Sequence, residues 1–534
     1  MELKLNSLND ANWWNENNIN IPLYDVQEVI NKTNANPTWL HFGAGNIFRG
    51  FIANLQQKLL NEGLEKTGII ASDTFDYEII DEIYRKYDNL TLLVGLKPDG
   101  NNTLDVISSV TDSVKANVND ESEWKRLIEI ASKDSLQMIS FTITEKGYAI
   151  YKLDGTMMDV VAEDIKNGPV KPRHAMSIVA TLLFERYKKT KAPIALVSMD
   201  NCSHNGDKLK NSVLEIVSGW YKEGYVDDDF INYVSNEEVV SFPWSMIDKI
   251  TPRPDESIKN SLEALGLINM APITTSKNTY IAPFVNAEIP QYLVIEDKFP
   301  NGRPALDKAG VFFTDRETVN NTEKMKVTTC LNPLHTALAI FGCLLGYSKI
   351  SDEMNDHMLN KLVNKIGYEE GIPVVVNPGI INPKDFINEV ITERLPNPFL
   401  PDTPQRIATD TSQKLAIRFG ETIKSYEAVN KQADLKYIPL VIAGWFRYLL
   451  GVDDLGKTFS ISSDPMLDEL QKVVSNIALG KANDLSPVRA LLSNIQLFGT
   501  DLNKNNMSDK IISLLDKMLC GENAVRNTIK EVLS

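Results

Sequence analysis

The feature that most constrains this chain is a strand, turn and helix run close to its start. Thr38 to Phe42 (TWLHF) has the bulky apolar make-up of a short strand. It runs directly into Gly43-Ala44-Gly45-Asn46-Ile47-Phe48-Arg49-Gly50. The FIANLQQKLLNEGL that follows sets Phe51, Ile52, Leu55, Leu59 and Leu60 near helical spacing, and Gly63 stops it. A glycine pair lets the backbone turn tightly and approach a pyrophosphate, whose charge then meets the free N–H groups of a helix N-terminus. A second strand-like run, Gly68 to Ser72, ends in Asp73, which follows Gly50 by 23 residues. A carboxylate there accepts hydrogen bonds from ribose hydroxyls and repels a 2′-phosphate, so NAD is favoured over NADP. Phe48 stands where the third glycine of GxGxxG belongs. An ordinary strand-to-helix turn therefore competes as a reading of the glycines alone, and the flanking elements with Asp73 favour the nucleotide.

Further strand-like runs lie at Leu90 to Gly95, Leu136 to Thr144 and Ile194 to Met199, the last after an apolar helical pattern over Ala175 to Tyr187. Strands alternating with helices predict an α/β fold, a doubly wound Rossmann-type sheet. Ligands in such sheets bind beyond the carboxyl ends of the strands. Glu145-Lys146-Gly147 and Asp200-Asn201 fall there. From about Thr318 the pattern turns mainly helical, with amphipathic segments at Met466 to Leu479 and Asp509 to Leu519. A chain of 534 residues exceeds one ordinary core. The reading is an N-terminal dinucleotide-binding domain over 1–315 and a mainly α-helical C-terminal domain over 316–534.

Composition narrows the function. A net charge of −16 opposes a nucleic-acid surface, which rests on clustered Lys and Arg. The opening MELKLNSLNDANWWNENN has no signal-peptide core, and the apolar stretch Ala337 to Tyr347 is too short to span a bilayer, so the expected location is the cytoplasm. Cys202, Cys330, Cys343 and Cys520 are scattered, with no CxxC pair, and read as reduced thiols. No metal site is expected.

The run Glu323-Lys324-Met325-Lys326-Val327-Thr328-Thr329-Cys330-Leu331-Asn332-Pro333-Leu334-His335 opens the helical part. Asn332 is a good helix N-cap and Pro333 suits the first helical position, which places His335 on the first turn. The following TALAIFGCLLGY is apolar nearly all round and predicts a buried helix. Taken singly, each polar residue has a plainer role: Asn332 a cap, His335 a satisfied buried histidine, Lys326 a surface charge.

Together these blocks resemble the polyol-specific long-chain dehydrogenases, the mannitol dehydrogenase family. The resemblance runs through GAGNIFRG (43–50), TITEKGY (142–148), SMDNCSHNG (198–206), FPWSMIDKITP (242–252), VIEDKFPNGRPAL (294–306), the EKMK and LNPLH stretch, and NPFLPDTPQRIATDTSQKL (397–415). It implies a zinc-independent enzyme that binds nicotinamide cofactor on its N-terminal domain and a small sugar acid or polyol, with neither nucleic acid nor membrane as partner; oligomeric state is left open. Gly43 to Arg49, Asp73, Thr144 and Glu145 are the implied cofactor residues. By the same resemblance Lys326 is the general acid/base, Asn201, Asn332 and His335 surround the reacting oxygen, and Glu323 is an acidic companion. Arg394 and Lys414 contact substrate. The family usually spaces lysine and asparagine five apart, whereas Lys326 and Asn332 are six apart, and Asn-Pro replaces its common Asn-Gly. The TSQKL block lies nearest the fructuronate reductases and implies fructuronate–mannonate conversion, ahead of mannitol–fructose or tagaturonate chemistry.

These residue types suit alcohol oxidation. A lysine buried beside apolar surface is driven toward its neutral form and can take a hydroxyl proton. Amide N–H groups stabilise charge developing on the oxygen, and a histidine orients a neighbouring hydroxyl. A non-catalytic nucleotide sensor predicts a broken Lys–Asn–His cluster. A 6-phosphogluconate-like decarboxylating enzyme predicts a basic phosphate site, which the sequence does not display.

Overall fold

The computed structural model describes residues 1–152 and 154–534, and the chain divides into two compact units, Met1–Asn320 and Asn321–Ser534. The division falls five residues beyond the expected one.

The first unit is built on six parallel strands: β1 (Trp39–Phe42), β2 (Ile69–Asp73), β3 (Val110–Lys115), β4 (Met138–Phe141), β5 (Ile194–Ser198) and β6 (Val240–Ser241). Their order is β3-β2-β1-β4-β5-β6. This is the Rossmann arrangement, in which the order reverses at β1 and leaves a crevice beyond the strand ends. The short strands are near-continuous apolar runs because both faces are covered. On one face Leu40, Phe42, Ile139, Phe141 and Leu196 pack against α2 (Ala175–Lys189) and α3 (Asn205–Lys222) through Leu182, Val213, Ile216 and Trp220. On the other, Trp39, Ile69, Met138 and Val197 meet Phe48, Phe51, Leu55 and Leu59, the last two on α1 (Ala53–Asn61). Leu40 and Phe42 face one way and Trp39 the other, as a period of two requires. Each such large side chain contributes roughly 1.5–3 kcal/mol on burial.

The run at Leu90 to Gly95 departs from expectation. It is a strand, Thr91–Leu96, but belongs to a separate sheet, paired antiparallel with Thr103–Ile107 and parallel with Phe284–Glu288. The third place beside β2 goes to β3 instead. The polar alternation of Thr103–Ile107 hid this hairpin partner from an apolar-run reading.

The second unit is helical. α4 (Arg316–Met325) leads across the division into a π-helical turn, Lys326–Cys330, and then α5 (Asn332–Leu345). α5 is buried on nearly every side and packs against α6 (Tyr437–Tyr448), which packs in turn on α7 (Met507–Met518). The Glu370 carboxylate accepts the N–H groups of Tyr437 and Ile438, each at 2.8 Å, and so anchors the start of α6. Arg316–Leu345 as a whole is long and apolar enough to pass for a membrane span, unlike the shorter stretch expected to be the longest; 72% of its most apolar window is buried within the protein, as in a core helix.

Candidate active site

The glycine turn is held from several sides. Gly43 has φ +105°, and a side chain there would run into the Thr142 carbonyl, so only glycine fits. Over Gly45 a Cβ would meet nothing within 4 Å. The first N–H groups of the helix beginning at Asn46 have no intrahelical acceptor, and Asn46 Oδ1 is a buried oxygen without a partner. A tight turn, open space above it and an orphaned polar atom fit a dinucleotide, with Gly43, Ala44, Gly45, Asn46 and Ile47 as the cradle.

His41 braces this turn from inside the sheet. It stacks on Phe48 at 3.9 Å, and its Nδ1 and Nε2 lie 2.6 Å from Ser140 Oγ and 2.9 Å from Thr142 Oγ1. Trp39 Nε1 donates to Ser140 Oγ at 2.6 Å, and Thr142 Oγ1 donates to the Gly43 carbonyl at 3.1 Å. Those two bonds leave Ser140 to donate to Nδ1 and Thr142 to accept from Nε2–H, which assigns the tautomer. Burial pushes the His41 pKa down to about 3, so the ring is neutral.

Phe48 and Arg49, at the far end of the expected cofactor cradle, turn their side chains inward. Phe48 is 0% exposed and Arg49 is 1% exposed. The third-glycine position is filled by a core aromatic, and Arg49 points behind the turn, where its Nε donates to Thr91 Oγ1 at 3.1 Å. They shape the turn without facing its open side.

Asp73 closes β2 and turns back on the loop. Its Oδ1 accepts the N–H groups of Phe75 and Asp76, both at 2.8 Å, and its Oδ2 accepts that of Ala44 at 3.2 Å. Burial pushes its pKa up, against those three bonds. A carboxylate has about four acceptor positions, which leaves one on Oδ2.

Beyond β4 and β5 the loops are locked together by Asp200, one of the polar residues expected at the strand ends. The Asp200 carboxylate accepts the N–H groups of Ile143 at 3.0 Å and Thr144 at 2.8 Å, and the Tyr148 hydroxyl at 2.5 Å. Burial raises the Asp200 pKa while the Tyr148 bond opposes it. Thr144 is exposed with φ +64°, and the Glu145 carboxylate pairs with Lys208. Asn201, next to Asp200, is exposed. Its loop is pinned by buried Asn205, whose amide donates to the carbonyls of Asp200 and Ser245 at 3.0 Å.

In the second unit the structure separates the two lysines of EKMK. Lys324 is exposed and Lys326 is 2% exposed. Glu323 is half-buried three positions before Lys326, the spacing that shares a helix face. The π-helical turn beginning at Lys326 lies between lysine and asparagine, where the chain carries six positions rather than five. A π turn takes up one residue more than an α turn, and such turns recur at functional sites.

Asn332 is not the N-cap. α5 begins at Asn332 itself, with Leu331 before it and no side-chain cap. Leu331 N–H donates back to the Lys326 carbonyl at 3.1 Å, so α5 is entered from another helical turn and has no open start to cap. The Asn332 amide is thereby released. Its carbonyl accepts from Thr336 Oγ1 at 2.9 Å.

His335 is half-buried on the same face, with Nε2 3.4 Å from Asp402 Oδ2. Asp402 also pairs with Arg406. Burial alone would raise the Asp402 pKa, but His335 and Arg406 pull it down to about 2, so it is ionised. Arg394 is nearly fully buried in the π-helical turn Val390–Arg394. Lys414 Nζ donates to the Thr409 and Ile407 carbonyls, and burial lowers its pKa with help from the charge of Arg418. Asp402, Thr336 and Arg418 were not singled out from sequence. They lie inside or beside quoted blocks, but nothing in those blocks distinguishes them until the chain folds. Among the described residues no three His, Cys, Asp or Glu side chains gather as a metal site. Cys202, Cys330, Cys343 and Cys520 are all free thiols.

The mannitol dehydrogenase Rossmann domain matches residues 37–308 and the mannitol dehydrogenase C-terminal domain matches residues 318–519. A D-mannonate oxidoreductase of Thermotoga maritima is 54% identical, over 100% of this chain and 99% of its own. A D-sorbitol dehydrogenase crystal structure in substrate-free form aligns with a TM-score of 0.80 at 24% identity, over 97% of this chain and 98% of that one. Mannitol 2-dehydrogenase of Pseudomonas fluorescens, solved as a ternary complex with NAD and D-mannitol, gives 0.71 at 24% identity, over 100% and 99%. With both domain models matched in order across most of its length, the chain belongs to the mannitol dehydrogenase family and is an oxidoreductase.

Proposed function

We propose that this enzyme interconverts a hexuronate ketone and its aldonate alcohol, fructuronate and mannonate, with a nicotinamide dinucleotide as cofactor and no metal ion. The observation that carries this reading is the 54% identity, end to end, with a D-mannonate oxidoreductase. When bound, the nicotinamide supplies or takes the hydride. Lys326 gives the proton to the carbonyl oxygen in reduction and takes it from the hydroxyl in oxidation. Asn332 and Asn201 donate amide N–H bonds to that oxygen, and Glu323 serves the lysine one turn away. His335, held by Asp402, orients a neighbouring hydroxyl. Arg394 and Lys414 are kept as substrate contacts.

NAD is preferred over NADP. The support is Asp73, which sets a carboxylate at the end of β2 with one acceptor position left for a ribose hydroxyl.

The test is loss of reduced-nicotinamide absorbance with NADH and NADPH against fructuronate, tagaturonate and fructose. Fructuronate with NADH is expected to give the highest kcat/KM. A preference for fructose or tagaturonate overturns the substrate assignment, and a preference for NADPH overturns the role given to Asp73.

A further inference from the structure

Asn332, His335 and Thr336 stand at positions i, i+3 and i+4 of the first turn of α5, on one face. Arg418 reaches that face from the π-helical turn Ala416–Gly420. Its Nη1 donates to Thr336 Oγ1 at 2.6 Å, and Thr336 Oγ1 passes the bond on to the Asn332 carbonyl at 2.9 Å. The guanidinium is thus fixed one helical turn beyond Asn332, on the face assigned to the substrate.

A guanidinium carries five N–H donors in a planar fork. Elsewhere in this protein, Arg49, closed in the core, gives its Nε to Thr91 Oγ1 and among the described residues has no partner on either Nη, while two other buried arginines spend those donors on backbone. Arg186 gives to the carbonyls of Ala131, Lys133, Leu136, Ala192 and Pro193, and Arg447 to those of Val452, Asp453 and Met518. Both are sealed in the interior. Arg418 is half-buried, and among the described residues it has one hydroxyl as partner and no carboxylate. The other cations nearby do not relieve it. Lys414 repels it from one turn earlier, while Asp410 and Asp464 act on Lys414. Arg406 is already neutralised by Asp402. Burial lowers the Arg418 pKa to about 10, the mark of a charge held out of water without an opposite charge.

We propose that Arg418 binds the substrate's carboxylate through its free fork, and that this contact selects a uronate over a neutral ketose. The assignment rests on the hexuronate reading above and names the group that serves it. A two-pronged ion pair suits a planar carboxylate and satisfies donors that a hydroxyl of a neutral sugar cannot match.

The experiment compares wild type with Arg418→Met and Arg418→Lys in steady-state reduction of fructuronate by NADH, with NADH affinity measured by fluorescence quenching. Arg418→Met is expected to raise KM for fructuronate about 100-fold while kcat falls little and NADH affinity holds. Arg418→Lys, which keeps the charge but loses the fork, falls between. Millimolar guanidinium added to Arg418→Met is expected to restore part of the lost kcat/KM. An unchanged KM in Arg418→Met overturns the assignment. So does a parallel loss of kcat, KM and NADH affinity in both variants, which marks a structural arginine. Wild type that leaves fructuronate untouched but reduces fructose overturns the hexuronate reading itself, and Arg418 falls with it.

Discussion

The Tyr84 hydroxyl donates to the Ala44 carbonyl at 3.1 Å, and the Asp73 carboxylate accepts the N–H of that same Ala44 at 3.2 Å. The middle residue of the glycine turn is therefore gripped at both ends, from a buried tyrosine on one side and a strand end on the other. Tyr84→Phe removes one grip without opening a cavity. A hydrogen bond of this kind contributes about 1 kcal/mol. The expected outcome is a KM for NADH raised about threefold to tenfold, with kcat within twofold of wild type. An unaltered KM would show that the turn holds its shape without the tyrosine.

Lys326→Ala is expected to lower kcat by about 1000-fold or more while NADH still binds. Single-turnover absorbance measures the first and fluorescence quenching the second. Treatment with EDTA is expected to leave the wild-type rate unchanged, since the proton transfer is given to an amine and not to a metal-bound water.

Asp402 gives a pH-dependent contribution to stability. Its folded pKa of about 2 lies below the ordinary carboxylate value near 4. The sign follows: the stabilisation is fully present above the unfolded value and is lost as pH falls through the folded one. Its size is about 2 kcal/mol. Asp402→Asn is expected to lower the urea midpoint at pH 7, with a gap from wild type that narrows at pH 3. It should also weaken substrate binding, because His335 loses the group that orients it. A gap independent of pH would contradict the ionised pairing.

Glu353 works in the opposite direction. Its carboxyl is fully buried against the bare backbone of Gly342, with no hydrogen-bond partner on either oxygen. Burial holds its pKa well above the usual carboxylate range. The folded chain keeps a proton that the unfolded chain gives up, so stability falls as pH rises above about 4.3, by about 1.4 kcal/mol for each pH unit until the folded pKa is reached. Glu353→Gln has no such proton to lose. Relative to that variant, wild type is expected to lose stability between pH 5 and pH 8, read from urea unfolding curves. Parallel curves would show that the carboxyl ionises in place.

Much of the nucleotide-binding half was legible because its signals are local. TWLHF, the glycine pair and the helix behind it are contiguous, and period and turn chemistry report directly on neighbouring residues. Thr91–Leu96 was legible as a strand but not as a member of the right sheet, since pairing is a long-range matter and its partners Thr103–Ile107 and Phe284–Glu288 leave no mark on it. Asn332 misled for a related reason. Its cap signal is genuine, but the π-helical turn before it removed the open helix start that a cap serves. Arg418 was invisible because its interest lies in what surrounds it: a hydroxyl from α5 and, among the described residues, no acid.

The π-helical turn at Lys326–Cys330 also governs which changes in length this chain tolerates. Each residue of α-helix advances a side chain by about 100° around the axis. Removing one residue between Val327 and Leu331 would turn the π turn into an α turn and leave Asn332, His335 and Thr336 near their bearing from Lys326, whereas inserting one more would swing them by roughly that angle. The turn is thus a place where the chain can shed a residue and keep its heading, but not gain one.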